Sequence, residues 1–575
     1  MSGAPPGDPD FIDPAKYVVR VSTPIQAAWR ERFINQLYRL SLQTPLHKLR
    51  LRGRYPLKLL TVPDDPVRGD AERGQLMLKG QIHWRGEIQD IASFAFTANS
   101  WSPGFARYMQ SFAWLRDLAA LKDREATAPI AERLMRSWLA AYGDNVADMG
   151  WRGDFTGSRI LFWTAYAPLI LSSADIIYRS SVLTTLARMA RHLEGIAGRM
   201  APGVGQIEAW AGIVAAALLM PGGESRRGFG EQGLQLALTT GLTLDGGTLC
   251  RVPDRLADMI CTLALLREVY RARGLSANDA LDDAVTRALS AFEGLILGDD
   301  GLSSWQGSLP ASKAETTAVR RAPGLRVRPL LQGRDWGYQR VQQGKTILIV
   351  DAAPPPIGRE VAAGCASTLG FELSDGAQRV IVNCGGAAAA GPSVSPVLAE
   401  ALRTTAAHSS LTLEDTNSTA LLADGLLGRG VSEVEINRQE TKDSSRIEAS
   451  HDGYVRRFGL IHQRKLILKS DGREFLGEDL LVPAKGRKTQ AAKFAVRFHL
   501  GVGVEASPTA DGHGALLRLA DGHMWQFRCK GGLINIEGSV WIDGAGRPNA
   551  TQQLVISGKA PAGGLFINWA LRRAG

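Results

Sequence analysis

The chain has 575 residues, 45% of them hydrophobic and 22% charged, with a formal net charge of +10. That length calls for two or three domains with well-buried cores, and the composition excludes a disordered or fibrous chain. No apolar run reaches the length of a membrane span, and the basic balance suits a polyanionic partner. Without a clustered Lys/Arg tract or a nucleic-acid motif, that partner reads as an acidic polysaccharide and not a nucleic acid.

The N-terminus, MSGAPPGDPDFIDPAKYVVRVS, lacks a basic start followed by an apolar core, so it reads as a short disordered leader and not a secretory signal. Residues 24–43 predict an amphipathic helix with Trp29, Phe33, Leu37 and Leu40 on one stripe. Residues 44–100 are mixed and read as an irregular covering arm. From 101 to 310 the apolar spacing is helical throughout, beginning with Phe105, Tyr108, Met109, Phe112 and Leu115. Further helical stretches are expected at 127–142, 157–172, 176–196, 206–219, 228–241, 254–273 and 276–297, separated by Gly, Pro, Asp or Ser. Consecutive helices with short connections make hairpins arranged as a ring or a solenoid.

Residues 311–334 are polar and basic and read as a crossing linker. Beyond them, short alternating runs with D-G turns predict an all-β sandwich over 335–575. The clearest signal is Leu369 to Ser374 and Gln378 to Cys384 joined by Asp375-Gly376, a hairpin pattern. The fold class is therefore α+β multidomain, with a helical first half and an antiparallel β second half. The five cysteines show no paired spacing, so reduced and mostly buried thiols are expected.

In the helical half, Trp101, Arg107, Trp114, Arg116, Trp151, Arg152, Arg159, Trp163, Tyr166 and Trp210 interleave aromatic and guanidinium groups. Sugar rings stack on aromatic faces, and Arg forks hold carboxylates or sulfates. Trp101, Arg159, Trp163, Trp210, Arg251 and Trp305 are the candidate substrate-binding residues. In the β half, SHDGYVRRFGLIHQR offers His451, Tyr454 and His462 for proton transfer, and Tyr338 on the strand opening that domain is a second candidate acid. The same spacing also fits core packing and satisfied structural histidines.

The run GCASTLGFELSDGAQRVIVNCGG followed by AAHSSLTLEDTNS resembles the C-terminal β-domain of the heparinase II/III family of polysaccharide lyases, which carries H-x-H-x-x-x-L-x-F-E, V-D-x-G and A-H-[NS]-[ST]-[LV]. The resemblance implies an incomplete (α/α) toroid followed by the sandwich, β-elimination on a uronate-containing glycan, no required cofactor and, in some members, a structural zinc. Here Ala363 stands at the family's catalytic His, Cys365 at the second His and Asn383 at the Asp, while His408 matches. Cys365 and His408 are thus the candidate metal ligands, with His408, His451, Tyr454 and Tyr338 as candidate catalytic groups. The family's Tyr-His pair registers on Arg255 and Leu256, and its carboxylate-neutralising amide falls nearest Gln206. The two readings are a lyase acting on an acidic glycan and a catalytically degenerate glycan-binding or cell-envelope assembly protein on the same scaffold. The resemblance implies an envelope or periplasmic location; without a visible signal peptide, a cytoplasmic one stays open.

Overall fold

The structure is a computed structural model that describes residues 16–20, 58–98, 100–146, 149–356, 364–386, 392–423 and 425–574. The helix expected at 24–43 and the position of Ala363 lie outside the described residues. The first half is helical, with helices at Pro103–Ser111, Trp114–Ala119, Arg124–Tyr142, Gly153–Ala165, Ile176–Ile196, Val204–Leu219, Glu224–Gly241, Pro253–Ala272 and Asp279–Glu293. Their starts carry the expected chemistry. Ser102, Asp123, Asp175 and Asn278 are N-caps whose side chains accept backbone N–H groups of the first turn.

Val204–Leu219 (VGQIEAWAGIVAAALL) is apolar almost all round, and every residue but Gly205 is buried. A helix of that composition belongs inside a bundle, and it packs against Gly153–Ala165, Ile176–Ile196, Glu224–Gly241 and Pro253–Ala272. Its contact with Gly153–Ala165 depends on two glycines. A Cβ on Gly157 would lie 2.0 Å from the Glu208 carbonyl oxygen, and one on Gly212 would lie 2.6 Å from Gly157 Cα. That close approach sets Asp154 and Glu208 side by side.

The second half is two antiparallel sheets facing each other across one core. The larger runs Lys16–Arg20, Glu433–Glu440, Ser444–His451, Leu460–Lys469, Glu474–Pro483, Leu565–Ala574, Met524–Lys530, Gly514–Arg518, Glu505–Pro508 in spatial order. The smaller runs Leu533–Ile542, Pro548–Ala560, Ala492–Leu500, Gln378–Val382, Phe371–Asp375, Thr346–Asp351, Tyr338–Gln343, with Leu411–Leu413 also paired to Ala492–Leu500. Alternate residues point inward, and Trp569 sits at the centre with Phe371 at 5.8 Å and Phe498 at 4.8 Å between ring centroids. The D-G hairpin forms as its sequence requires, with Asp375 opposite Gln378 and Gly376 at φ 53°.

Two expectations differ. The leader contributes Lys16–Arg20 as an edge strand paired to Glu433–Glu440, because YVV supplies a short alternating run that the neighbouring Pro-rich stretch masks. The linker contains a helix, Lys313–Arg321, held by a capping box between Ser312 and Glu315.

Candidate functional site

Three polar constellations lie where the chemistry was expected, two of them buried and the first built on buried carboxylates with partly exposed arginines. The first gathers at the starts of the helices. Arg107 on Pro103–Ser111 donates to both Glu208 oxygens (3.2 and 3.3 Å) and to Asp154 Oδ2 (2.9 Å). Arg152 reaches the same Asp154 at 2.9 Å. Arg255 reaches Glu208 Oε2 at 3.0 Å and Asp258 at 2.7 Å. Burial opposes ionisation of Asp154, but Arg107, Arg152 and Arg255 outweigh it and hold its carboxyl below the usual range. The position registered for the acid–base Tyr is therefore an arginine neutralised by two carboxylates. Leu256 beside it is fully buried in the helical core. The Gln206 amide donates to the Ala197 and Met200 carbonyls at 3.1 and 3.2 Å, so it is engaged by the preceding turn and not by a ligand.

The second constellation joins the domains. Arg251 pairs with Asp351 at 2.6 Å, donates to the Trp336 and Pro354 carbonyls at 2.8 and 3.1 Å, and lies 4.5 Å from the Tyr338 ring centroid. The Tyr338 hydroxyl donates to the Arg251 carbonyl at 2.9 Å, and Trp305 packs 5.6 Å away between centroids. Burial, eased only in part by Arg251, keeps that phenol strongly protonated. Gln306 bridges Cys365 N–H (3.0 Å), Ser367 Oγ (2.8 Å) and Asp351 Oδ2 (3.3 Å). The Asp245-Gly246-Gly247 turn seats Trp336: a Cβ on Gly247 would fall 2.1 Å from the indole, and Asp245 accepts the Trp336 N–H at 2.9 Å. These residues were expected to line an open cleft. They instead fill the junction, because each polar group finds a partner inside it.

The third lies inside the sandwich. The Gly453 N–H donates to His451 Nδ1 (3.1 Å), which leaves the proton on Nε2 to reach His462 Nδ1 (3.2 Å), while His462 Nε2 donates to Asp479 Oδ1 (2.8 Å). Asp479 also accepts from Arg464 Nε (2.7 Å) and Trp569 Nε1 (2.9 Å). Burial and the neighbouring His462 push His451 well below the ordinary imidazole range, so both rings are neutral. Tyr454 is 1% exposed, and its hydroxyl donates to the Leu411 carbonyl at 2.7 Å. The structure places His451 and Tyr454 in the core and not on a substrate cleft: strand alternation turns His451 inward, and the turn that follows, at the start of Val455–Phe458, carries Tyr454 in beside it.

The remaining candidates are also packed. Arg159 is fully buried, donates to the Gln110 carbonyl (2.9 Å) and the Gly150 carbonyl (2.6 Å), and sits 4.2 Å from the Trp138 centroid. Burial pushes its guanidinium down to about 9. Trp163 shares that core, 5.3 Å from Phe112. Trp101 stacks on Phe94 and Trp210 packs against Phe229, 5.2 and 5.1 Å between centroids, in separate places. The interleaved aromatic and arginine pattern is thus core packing with cation–π contacts, a use of Arg and Trp that helical spacing shares with a sugar-binding cleft.

The implied zinc does not fit the residues present. His408 Nδ1 donates to the Thr404 carbonyl at 2.8 Å, and Asn383 donates to Glu372 Oε1 (3.1 Å) while accepting the Ser409 N–H (3.0 Å). Burial pushes the Cys365 thiol up to about 12 and lowers His408. With a neutral amide, engaged on both sides, at the position of the family's Asp, these residues do not complete a zinc donor set. Among the described residues no group of three or more His, Cys, Asp or Glu side chains is placed to hold a metal ion.

Glu208, Asp154, the Asp479 partner of His462, and the pair Cys384–His499 (3.4 Å) were not singled out from sequence. One signal was available: Glu208 is the sole charge on an otherwise apolar helix, and a buried carboxylate demands a cation.

A helical half followed by an antiparallel double sheet is the architecture of the heparinase III type of polysaccharide lyase, and residues 325–570 match the family "Heparinase II/III-like, C-terminal". The chain carries a heparinase II/III-like C-terminal domain. Among solved structures it is similar to a heparinase III (TM-score 0.66, 12% identity, 96% of this chain and 93% of that one). It is also similar to a heparan sulfate lyase of Pedobacter heparinus (TM-score 0.58, 13% identity, 96% and 92%). Among characterised proteins it is similar to the FtsZ-localized protein C of Caulobacter vibrioides, 28% identical over 553 residues that cover 92% of each chain.

Proposed function

We propose that this protein is a non-eliminating member of the lyase fold that serves in cell-envelope assembly, with its helical half arranged as an incomplete (α/α) toroid. The observation that carries the reading is the Arg107–Asp154–Glu208–Arg255 network. β-Elimination on a uronide needs a neutraliser for the carboxylate, a base for the adjacent proton and an acid for the leaving oxygen. At the three places where family members keep those groups, this chain has an amide turned to its own backbone, an ion-paired arginine and a core leucine. Tyr338, His451 and Tyr454 are buried and internally bonded, which gives a polymer no access to them. The similarity to FtsZ-localized protein C over nearly the full length points to the division site as the place of work. A lyase-type scaffold there suits recognition of an acidic envelope glycan without its cleavage.

The test is a fluorescent fusion followed before and after FtsZ depletion. The reading expects a focus at the division site that disperses on depletion. An even distribution indifferent to FtsZ overturns the division-site assignment.

A further inference from the structure

At the turn-bearing end of the sandwich the two sheets meet around a cavity of about 310 Å³. The smaller sheet contributes Lys345, Thr346 and Asp375, and the larger contributes Asp471, Arg473 and Arg573. None of these belongs to the ion network, the domain junction or the histidine chain.

The cavity is held open by contact between two turns. The Thr346 hydroxyl donates to the Gly472 carbonyl at 2.6 Å. Gly472 sits at φ 68°, where a Cβ would lie 2.2 Å from the Gln343 carbonyl oxygen. Asp375 forms the floor, 6% exposed, and accepts the Trp525 indole N–H at 3.1 Å. Arg573 reaches Asp375 through a single long contact of 3.4 Å, and its Nε is buried with no hydrogen-bond partner among the described residues. A buried guanidinium N–H without an acceptor is costly and points to a missing one.

The strand register explains why an anion belongs there. Glu474 pairs with Arg572, and the Arg573 N–H donates to the Arg473 carbonyl at 2.9 Å, so the two arginines lie across from each other on adjacent strands. Like charges in that relation destabilise a sheet unless something neutralises them. Lys345 adds a third cation from the opposite sheet. Three cations, Lys345, Arg473 and Arg573, line the cavity against two carboxylates, Asp375 and Asp471, so one cationic charge is left in excess.

We propose that this cavity binds a tetrahedral oxyanion, a sulfate or phosphate group. Two arginines and a lysine drawn from both sheets suit a group with three or more acceptor oxygens, whereas a planar carboxylate is saturated by one Arg fork. The proposal is independent of the assembly role.

The test is calorimetric titration of the full-length protein with sodium sulfate and sodium phosphate, against sodium chloride matched in ionic strength, with K345A/R473A as comparison. Both substituted residues are exposed turn positions, so folding is retained, which circular dichroism checks. Saturable one-site binding that weakens about tenfold or more in the double variant is the expected result, in keeping with loss of charge-assisted hydrogen bonds. No saturable binding, or binding unchanged in the variant, overturns the site. A third titration uses a sulfated oligosaccharide. If it binds along with the inorganic ions, the group belongs to a glycan; if only the inorganic ions bind, the site takes a free oxyanion, and both results uphold it.

Discussion

Replacing Arg251 by Met removes the cation that joins the two halves and leaves Asp351 buried. The pair is close, 2.6 Å, with the side chains 7% and 0% exposed. Once Arg251 is gone, Asp351 keeps only Ser367 Oγ at 2.6 Å and Gln306 Nε2 at 3.3 Å, both on its other oxygen. Breaking a buried pair from one side costs about 3–5 kcal/mol, because an uncompensated charge stays in the interior. The Trp336 and Pro354 carbonyls lose their donor as well. The double replacement R251M/D351L removes both charges and should recover most of the loss, since apolar replacement of a buried pair is often close to neutral. The assay is urea unfolding followed by tryptophan emission and circular dichroism. A single variant within about 1 kcal/mol of the parent, or a double variant less stable than the single one, would refute the assignment of Arg251 to cohesion between the domains.

Gly157→Ala should disrupt the helical half by at least about 1–3 kcal/mol, since its Cβ would sit 2.0 Å from the Glu208 carbonyl; a thermal melt equal to the parent's would contradict the close helix approach. Tyr454→Phe should cost about 1 kcal/mol by deleting one buried hydrogen bond and should leave ligand binding unaltered, as unfolding and titration of the same sample would report. His408, His451, His462 and His499 are all shifted down from 6.5 chiefly by burial, His499 to about 3. The unfolded chain therefore binds protons that the folded chain refuses, so stability falls as pH drops below about 6.5, by up to about 1.4 kcal/mol per pH unit for each ring. Urea midpoints that stay level from neutral to mildly acidic pH would show that these imidazoles are not held neutral in the fold.

The sequence made the division into a helical half and a β half legible because periodicity is a local property. Phe371–Asp375 and Gln378–Val382 stand where the runs Leu369 to Ser374 and Gln378 to Cys384 place them. The site was less legible for a different reason. Arg251 and Asp351 are 100 residues apart, and Arg107 and Glu208 are 101 apart, so the partner that makes each arginine structural is invisible to any local pattern. Trp163 and Arg159 at helical spacing read equally as a cleft lining or a core, and only the three-dimensional arrangement distinguishes the two.

On the proposed reading, a lyase-type fold here lacks elimination chemistry. The most direct test of that reading is incubation of the purified protein with a panel of acidic, uronate-containing polysaccharides while following the ultraviolet absorbance of the unsaturated uronide that elimination creates. The account predicts no rise above a protein-free control on any member of the panel. A steady, protein-dependent rise that disappears on replacing Tyr338 or Tyr454 by Phe would contradict it and restore those phenols as acids.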